Sequence, residues 1–169
     1  MVFAGGLGPL NTVNFTLGSN STPGAYTIKA TFATSNFPAS GTSRIRVGFK
    51  AGPSGSLVLG AAYVGPLSGT YGGGNFTASS LNALAFSGSA GVTIPAGTQV
   101  LSDWCAFSLN NTVPLVVSFY VSSGNITYGT VAASQSGALV TTNSAAVLSG
   151  SGFTNLGTQL WCVTEIDWQ

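Results

Sequence analysis

Apolar side chains in this chain recur at every second position, and nowhere do they sustain the spacing of a helix. Between Leu115 and Val121, Leu115, Val117, Phe119 and Val121 fall on one parity, with Val116, Ser118 and Tyr120 on the other. Successive side chains of an extended backbone point to opposite sides, so this alternation marks a strand with one face in a core. The preceding break, Asn110 to Pro114, is rich in turn formers. Pro114 has no N–H to give to a ladder, which suits the entrance to a strand.

The same reading extends along the chain. Val13, Phe15 and Leu17 alternate in a first strand, and Tyr26, Ile28, Ala30 and Phe32 in a second. Ser43 to Lys50 is the most clearly two-faced: Ile45, Val47 and Phe49 on one side, Arg44, Arg46, Gly48 and Lys50 on the other. Ser56 to Val64 is apolar on both parities, which predicts a strand covered on both faces. Short strands follow at 82–86, 90–94, 99–109, 125–133 and 137–142, and a last one at 157–168. Gly18 to Gly24, Ala51 to Gly55 and Gly65 to Gly74 read as turns or loops. About ten short strands separated by turn clusters, with Glu, Lys and Gln scarce, predict an all-β fold. The expected architecture is a two-sheet antiparallel β-sandwich, jelly-roll-like, formed as a single domain over 1–169 with residues 1–11 as an N-terminal arm.

Composition narrows the function. Only 4% of the 169 residues are charged, against roughly 25% in an average soluble domain. With 44% apolar and 11% aromatic residues the chain has enough to close a core. A net charge of +1 gives little colloidal repulsion and favours association. It also argues against nucleic acid as a partner, since that binding rests on many basic contacts. The most apolar run, Val113 to Val121, is nine residues and contains Pro114, too short to cross a bilayer as a helix, so no membrane is expected. The N-terminus carries no Lys or Arg and is broken by Gly and Pro, unlike a secretory signal. The expectation is a product made in a cytoplasm.

Few residues offer chemistry. There is no histidine, so a Ser-His-Asp triad cannot be built. Cys105 and Cys162 read either as two buried thiols or as a disulfide joining two strands, and two cysteines without histidine make no structural zinc site. Asp103 falls on the parity of Leu101, Cys105, Phe107 and Leu109, where a buried carboxylate is costly, so either a bulge rotates it outward or, the preferred reading, it accepts backbone N–H bonds and pins a neighbouring loop. Glu165 and Asp167 lie two apart on one strand face, a spacing that paired glycosidase carboxylates can use, but nothing else supports that reading. Three of the four basic residues, Arg44, Arg46 and Lys50, form one strip. It reads as a wetted strand face, as a contact strip for an acidic partner surface or an anionic glycan, as a ladder with Glu165 and Asp167 across neighbouring strands, or, slightly preferred to the ladder, as a contact between adjacent copies. Tyr71 and Phe76 bracket a triple glycine, and with Trp104 and Trp161 they are the candidates for stacking on a sugar. No catalytic residue, metal or cofactor is expected.

Several of these segments, taken in order, resemble a known module. They are Ser43-Arg44-Ile45-Arg46-Val47-Gly48-Phe49, Leu57 to Gly65, Ala85-Phe86-Ser87-Gly88, Val92 to Gly97, Val100-Leu101-Ser102-Asp103 and Leu115 to Tyr120. The run is similar to the β-sandwich domain that precedes the catalytic domain in some SGNH (GDSL-type) hydrolases, a type also found in phage structural proteins and bacterial surface proteins. The resemblance spans roughly residues 25–122, and Glu165-Ile166-Asp167-Trp168 is similar in style to the module's last strand. The hydrolase's Gly-Asp-Ser motif is missing, so what the resemblance implies is the accessory sandwich alone.

The expected function is therefore a non-enzymatic virion structural protein, a bacteriophage capsid decoration or tail component. It would act through contacts with copies of itself and with other virion proteins. The alternative is a carbohydrate-binding or receptor-binding module of a surface or fibre protein, placed at a cell surface and bound to its glycans.

Overall fold

A computed structural model describes residues 10–21, 25–37, 42–67, 80–109, 111–130, 136–141, 147–148, 154–155 and 157–169. The candidate sugar-stacking residues Tyr71 and Phe76 lie outside them. Among the described residues the fold is all-β, with one single-turn 3-10 helix at Thr34–Asn36. The strands are β1 (Asn11–Asn14), β2 (Ser19–Ser21), β3 (Tyr26–Phe32), β4 (Arg44–Lys50), β5 (Leu57–Pro66), β6 (Asn82–Leu84), β7 (Val92–Ile94) and β8 (Gln99–Leu101). They continue with β9 (Cys105–Ala106), β10 (Leu115–Gly124), β11 (Ile126–Thr130), β12 (Ser136–Thr141), β13 (Thr154–Asn155), β14 (Gln159–Trp161) and β15 (Val163–Trp168).

Two sheets form the sandwich. One has five strands in the order β1-β15-β4-β8, with β9 also paired to β4. The other has seven in the order β13-β12-β3-β10-β5-β6, with β7 also paired to β5. Every pairing is antiparallel, and the chain passes repeatedly from one sheet to the other, as in a jelly roll. Ile45, Val47 and Phe49 from β4 meet Leu115, Val117, Phe119 and Val121 from β10 in the core between them. Phe49 sits edge-on to both Phe119, at 5.2 Å, and Phe86, at 5.8 Å.

The structure departs from the sequence reading in four places. A third sheet, β14-β11-β2, stands beside the sandwich. Its edge strand β2 is Ser-Asn-Ser, which has no apolar residue to reveal a period and is held by backbone pairing to β11. Secondly, β10 is buried on both faces at its centre. Val116 packs with Leu67 and Leu81 on the outer side, and Ser118 Oγ donates to the Val147 carbonyl at 2.7 Å. Its neighbour β3 is likewise closed on both sides, with Thr27, Lys29 and Thr31 wholly buried.

Thirdly, β5 is not covered on both faces. Its apolar residues switch parity because the ladder to β10 slips between Tyr120 and Val121, leaving Gly60 unpaired. Leu57 and Leu59 point inward before this bulge, Ala62 and Val64 after it, and Val58, Ala61 and Tyr63 remain half-exposed. Lastly, the single strand expected over 157–168 is two strands in different sheets. The corner between them is Cys162, whose φ of 60° lies in the left-handed region. A second bulge at Thr164 then puts Val163 in the core with Ile166 and Trp168, although strict alternation assigns it to the opposite face.

Candidate functional site

The residues singled out by charge meet on the outer face of the five-stranded sheet. With Ile45, Val47 and Phe49 turned inward, Arg44, Arg46, Gly48 and Lys50 must face outward. The register sets Asp167 opposite Arg46 and Glu165 opposite Gly48, while Thr12 of β1 stands beside Asp167. Arg46 Nε donates to Asp167 Oδ2 at 2.7 Å, and Thr12 Oγ1 donates to Asp167 Oδ1 at 2.6 Å. The Asp167 side chain is 1% exposed and that of Arg46 26%, so one member of the pair is buried. The charged ladder thus lies within the chain at Arg46 and Asp167. Register alone brings these two together.

Arg44 donates through Nε and Nη2 to the Gln169 Oε1 atom. Trp104, on the segment between β8 and β9, lies under both arginines: its ring centre is 4.6 Å from Arg44 Cζ and 4.8 Å from Arg46 Cζ. Guanidinium planes over an indole are attracted by the ring's quadrupole, and they hold the arginine strip in place. The sequence makes Trp104 a candidate for sugar stacking, yet the arginines already occupy this ring. Trp161 is also engaged: it stacks on Tyr128 at 5.4 Å and 28°, and its indole N–H donates to Gln159 at 3.3 Å.

Gly48 makes room for a further bridge. A Cβ there would come within 2.9 Å of Glu165 Cβ and 3.0 Å of Gln99 Nε2. Across that gap Gln99 Nε2 donates to Glu165 Oε2, while Thr164 Oγ1 donates to Gln99 Oε1 at 2.9 Å. Burial pushes the Glu165 carboxyl above its ordinary range, the Gln99 bond pulls it back, and the nearby Asp167 charge adds to the rise. Lys50, at the end of the strip, is half-buried, and none of the described residues supplies its ammonium with a carboxylate or hydrogen-bond acceptor.

Asp103 is exposed, not buried, because residues 102–104 leave the strand and parity fails there. Its carboxylate accepts the backbone N–H groups of Ser87 at 3.0 Å and Gly88 at 2.8 Å. These two residues have φ of 52° and 80° and form the tip of a two-residue hairpin closed by Phe86 and Ser89. Asp103 pins that turn, the role its chemistry predicted.

The cysteines are not joined. Cys105 is opposite Ile45 on one edge of β4, whereas the Cys162 carbonyl accepts from Lys50 N on the other edge. Five residues of strand separate these positions, about 16 Å at ~3.3 Å per residue. A disulfide needs Cα atoms within about 7 Å. Both thiols are free, and burial raises the pKa of each, most of all at the fully buried Cys162. Among the described residues no three of His, Cys, Asp and Glu gather to hold a metal ion, and no helix is long and apolar enough to cross a membrane.

Sequence alone missed Thr12, Gln99, Thr164 and Gln169, whose polar side chains complete this face. The register of β1 and β8 brings in the first two, the bulge and the end of β15 the others, and no local pattern marks them.

What fold and site define together is an all-β sandwich with an Arg46–Asp167 ion pair on the outer face of one sheet. No family model matches the chain, and no curated protein matches it. Among solved structures it is similar to the clostridial cysteine protease Cwp84 after propeptide cleavage, with a TM-score of 0.54 and 12% identity. That match covers 94% of this chain and 40% of the protease chain, so the sequence spans less than half of that protein's length. At this identity the likeness is one of fold.

Proposed function

We propose that this chain is a non-enzymatic structural protein of a virus particle, a bacteriophage capsid decoration or tail component acting through its surfaces on copies of itself and other virion proteins. The observation that carries the non-catalytic part is the fate of the acids. Asp103 pins a turn, Asp167 is held by Arg46 and Thr12, and Glu165 is bridged by Gln99. With no histidine in the chain, these acids have no imidazole base beside them. The likeness to a cysteine protease brings no activity with it, since a buried Cys162 with a raised pKa is the opposite of an activated thiol.

The virion assignment rests on the low charge and on the resemblance of the segment order to phage-associated sandwiches. Leu10, Val113 and Leu148 are large apolar residues left exposed, at 51%, 39% and 45%, and offer contact area outside the charged face. Light scattering on the purified chain should give a closed oligomer, and antibody against it should label intact particles in electron micrographs. A monomer that labels no particle, or turnover of an ester or glycoside by the pure protein, would overturn the proposal.

A further inference from the structure

Two shallow depressions open on either side of Lys50, of about 240 and 250 Å³, and Leu17 and Lys50 line both. The first is completed by Asn20, Thr127 and the chain at Ala51, Pro53 and Gly97. The second is completed by Asn14, Phe15, Thr16, Gln99 and Thr164. Residues from β1, β2, β4, β8, β11 and β15 thus converge on one lysine, although they are scattered along the sequence.

We propose that this paired depression binds an acidic saccharide, with the Lys50 ammonium facing the carboxylate or sulfate of one sugar unit. Three observations carry it. Among the described residues Lys50 is the cation of this face left unsatisfied: Arg46 has Asp167, Arg44 has Gln169, and the second acid of the face, Glu165, is bridged by Gln99. A half-buried ammonium without a counter-charge gains from an incoming anion more than an exposed one does, because part of its desolvation has already been met. The exposed polar lining is amide and hydroxyl, from Asn14, Thr16 and Asn20, which matches the hydroxyls of a sugar and not an array of phosphates. Leu17, between the two hollows, offers an apolar contact for the C–H face of a ring.

Each hollow is smaller than a pocket for a drug-sized ligand, roughly 300–1,000 Å³, so each suits a single unit of a chain that continues past Lys50. A protein partner would call for a wider apolar centre than Leu17 supplies between the hollows. A nucleic acid would need several cations. The site lies apart from Trp104 and Trp161, the rings first singled out for sugar, and from Arg44 at the opposite end of β4.

The test is an array of uronate-, sialate- and sulfate-bearing oligosaccharides printed beside their neutral counterparts and probed with the full chain. Affinity for the best ligand is then measured in solution for wild type, Lys50→Gln and Arg44→Gln, with poly-glutamate as a second anion. Acidic glycans should be retained over neutral ones. Lys50→Gln should weaken binding about tenfold at unchanged Tm, as loss of one charge-assisted hydrogen bond would. Arg44→Gln should leave it unaltered, and poly-glutamate should bind far less. No preference for acidic glycans, equal loss in both variants, or equal binding of poly-glutamate would overturn the inference. Light scattering on the same preparation separates this site from the assembly proposal. A monomer that binds acidic glycan keeps the site and removes the assembly, and an oligomer that binds none does the reverse.

Discussion

Gly124 shows how much one backbone position can carry. Its φ of 115° is open to glycine alone, and a Cβ there would come within 2.1 Å of the Ser56 carbonyl. Gly124→Ala should cost about 3 kcal/mol, read as a shift in the urea midpoint at constant slope. The two cysteines should separate sharply by reactivity. Cys105 is half-buried and Cys162 fully buried, both with pKa values raised by burial. In native protein at pH 8, Ellman's reagent should titrate at most one thiol, slowly, and Cys105→Ser should abolish that phase. Two thiols should appear once the chain is unfolded. Rapid titration of both in the native state would contradict the burial of Cys162.

At the scale of elements, β4 and β15 depend on the Arg46–Asp167 pair, with its buried carboxylate. Arg46→Met should destabilise by about 3 kcal/mol, because the buried Asp167 then loses its counter-charge. Adding Asp167→Leu should recover most of that loss, as replacement of a whole buried pair by apolar side chains commonly does. Chemical denaturation of both variants checks this, and additive losses would show that the pair is not coupled.

Much of this layer was legible beforehand. The arginine strip followed from strict alternation in β4, and β10 was placed by its own pattern. Legibility failed where parity breaks. The bulges at Gly60 and Thr164 each shift the inward set by one residue, so β5 looked covered on both sides and Val163 looked outward-facing. The Lys50 hollows were invisible for another reason. Their lining comes from six strands joined only by sheet register, and Asn, Gln and Thr are too common in this chain to stand out.

For the molecule as a whole, pH should act on stability through few groups, since few ionise. Burial lowers Lys29 from 10.5 to about 8, so between these values the unfolded chain holds a proton that the folded chain has lost. Proton excess in the unfolded state makes stability rise with pH from about 8. The thiols act in the opposite sense. Above 9.0 they ionise in the unfolded chain while Cys162 stays protonated in the fold, so stability falls. Urea midpoints should therefore rise between pH 8 and 9, level off, and decline beyond 10.5. Lys29→Met should remove the rise and Cys162→Ala the decline. A flat profile for the unaltered chain would show that neither group changes its protonation on folding.

The placing of β15 has a bearing on how the domain comes into being. It is made after every other strand described, yet it lies between β1 and β4, with neighbours on both sides. A ribosome must therefore release residues 163–168 before the five-stranded sheet can close, and until then β1 has no ladder to join. Nascent chains arrested short of Val163 should stay protease-sensitive in β1 and β4, however complete the opposite sheet has become.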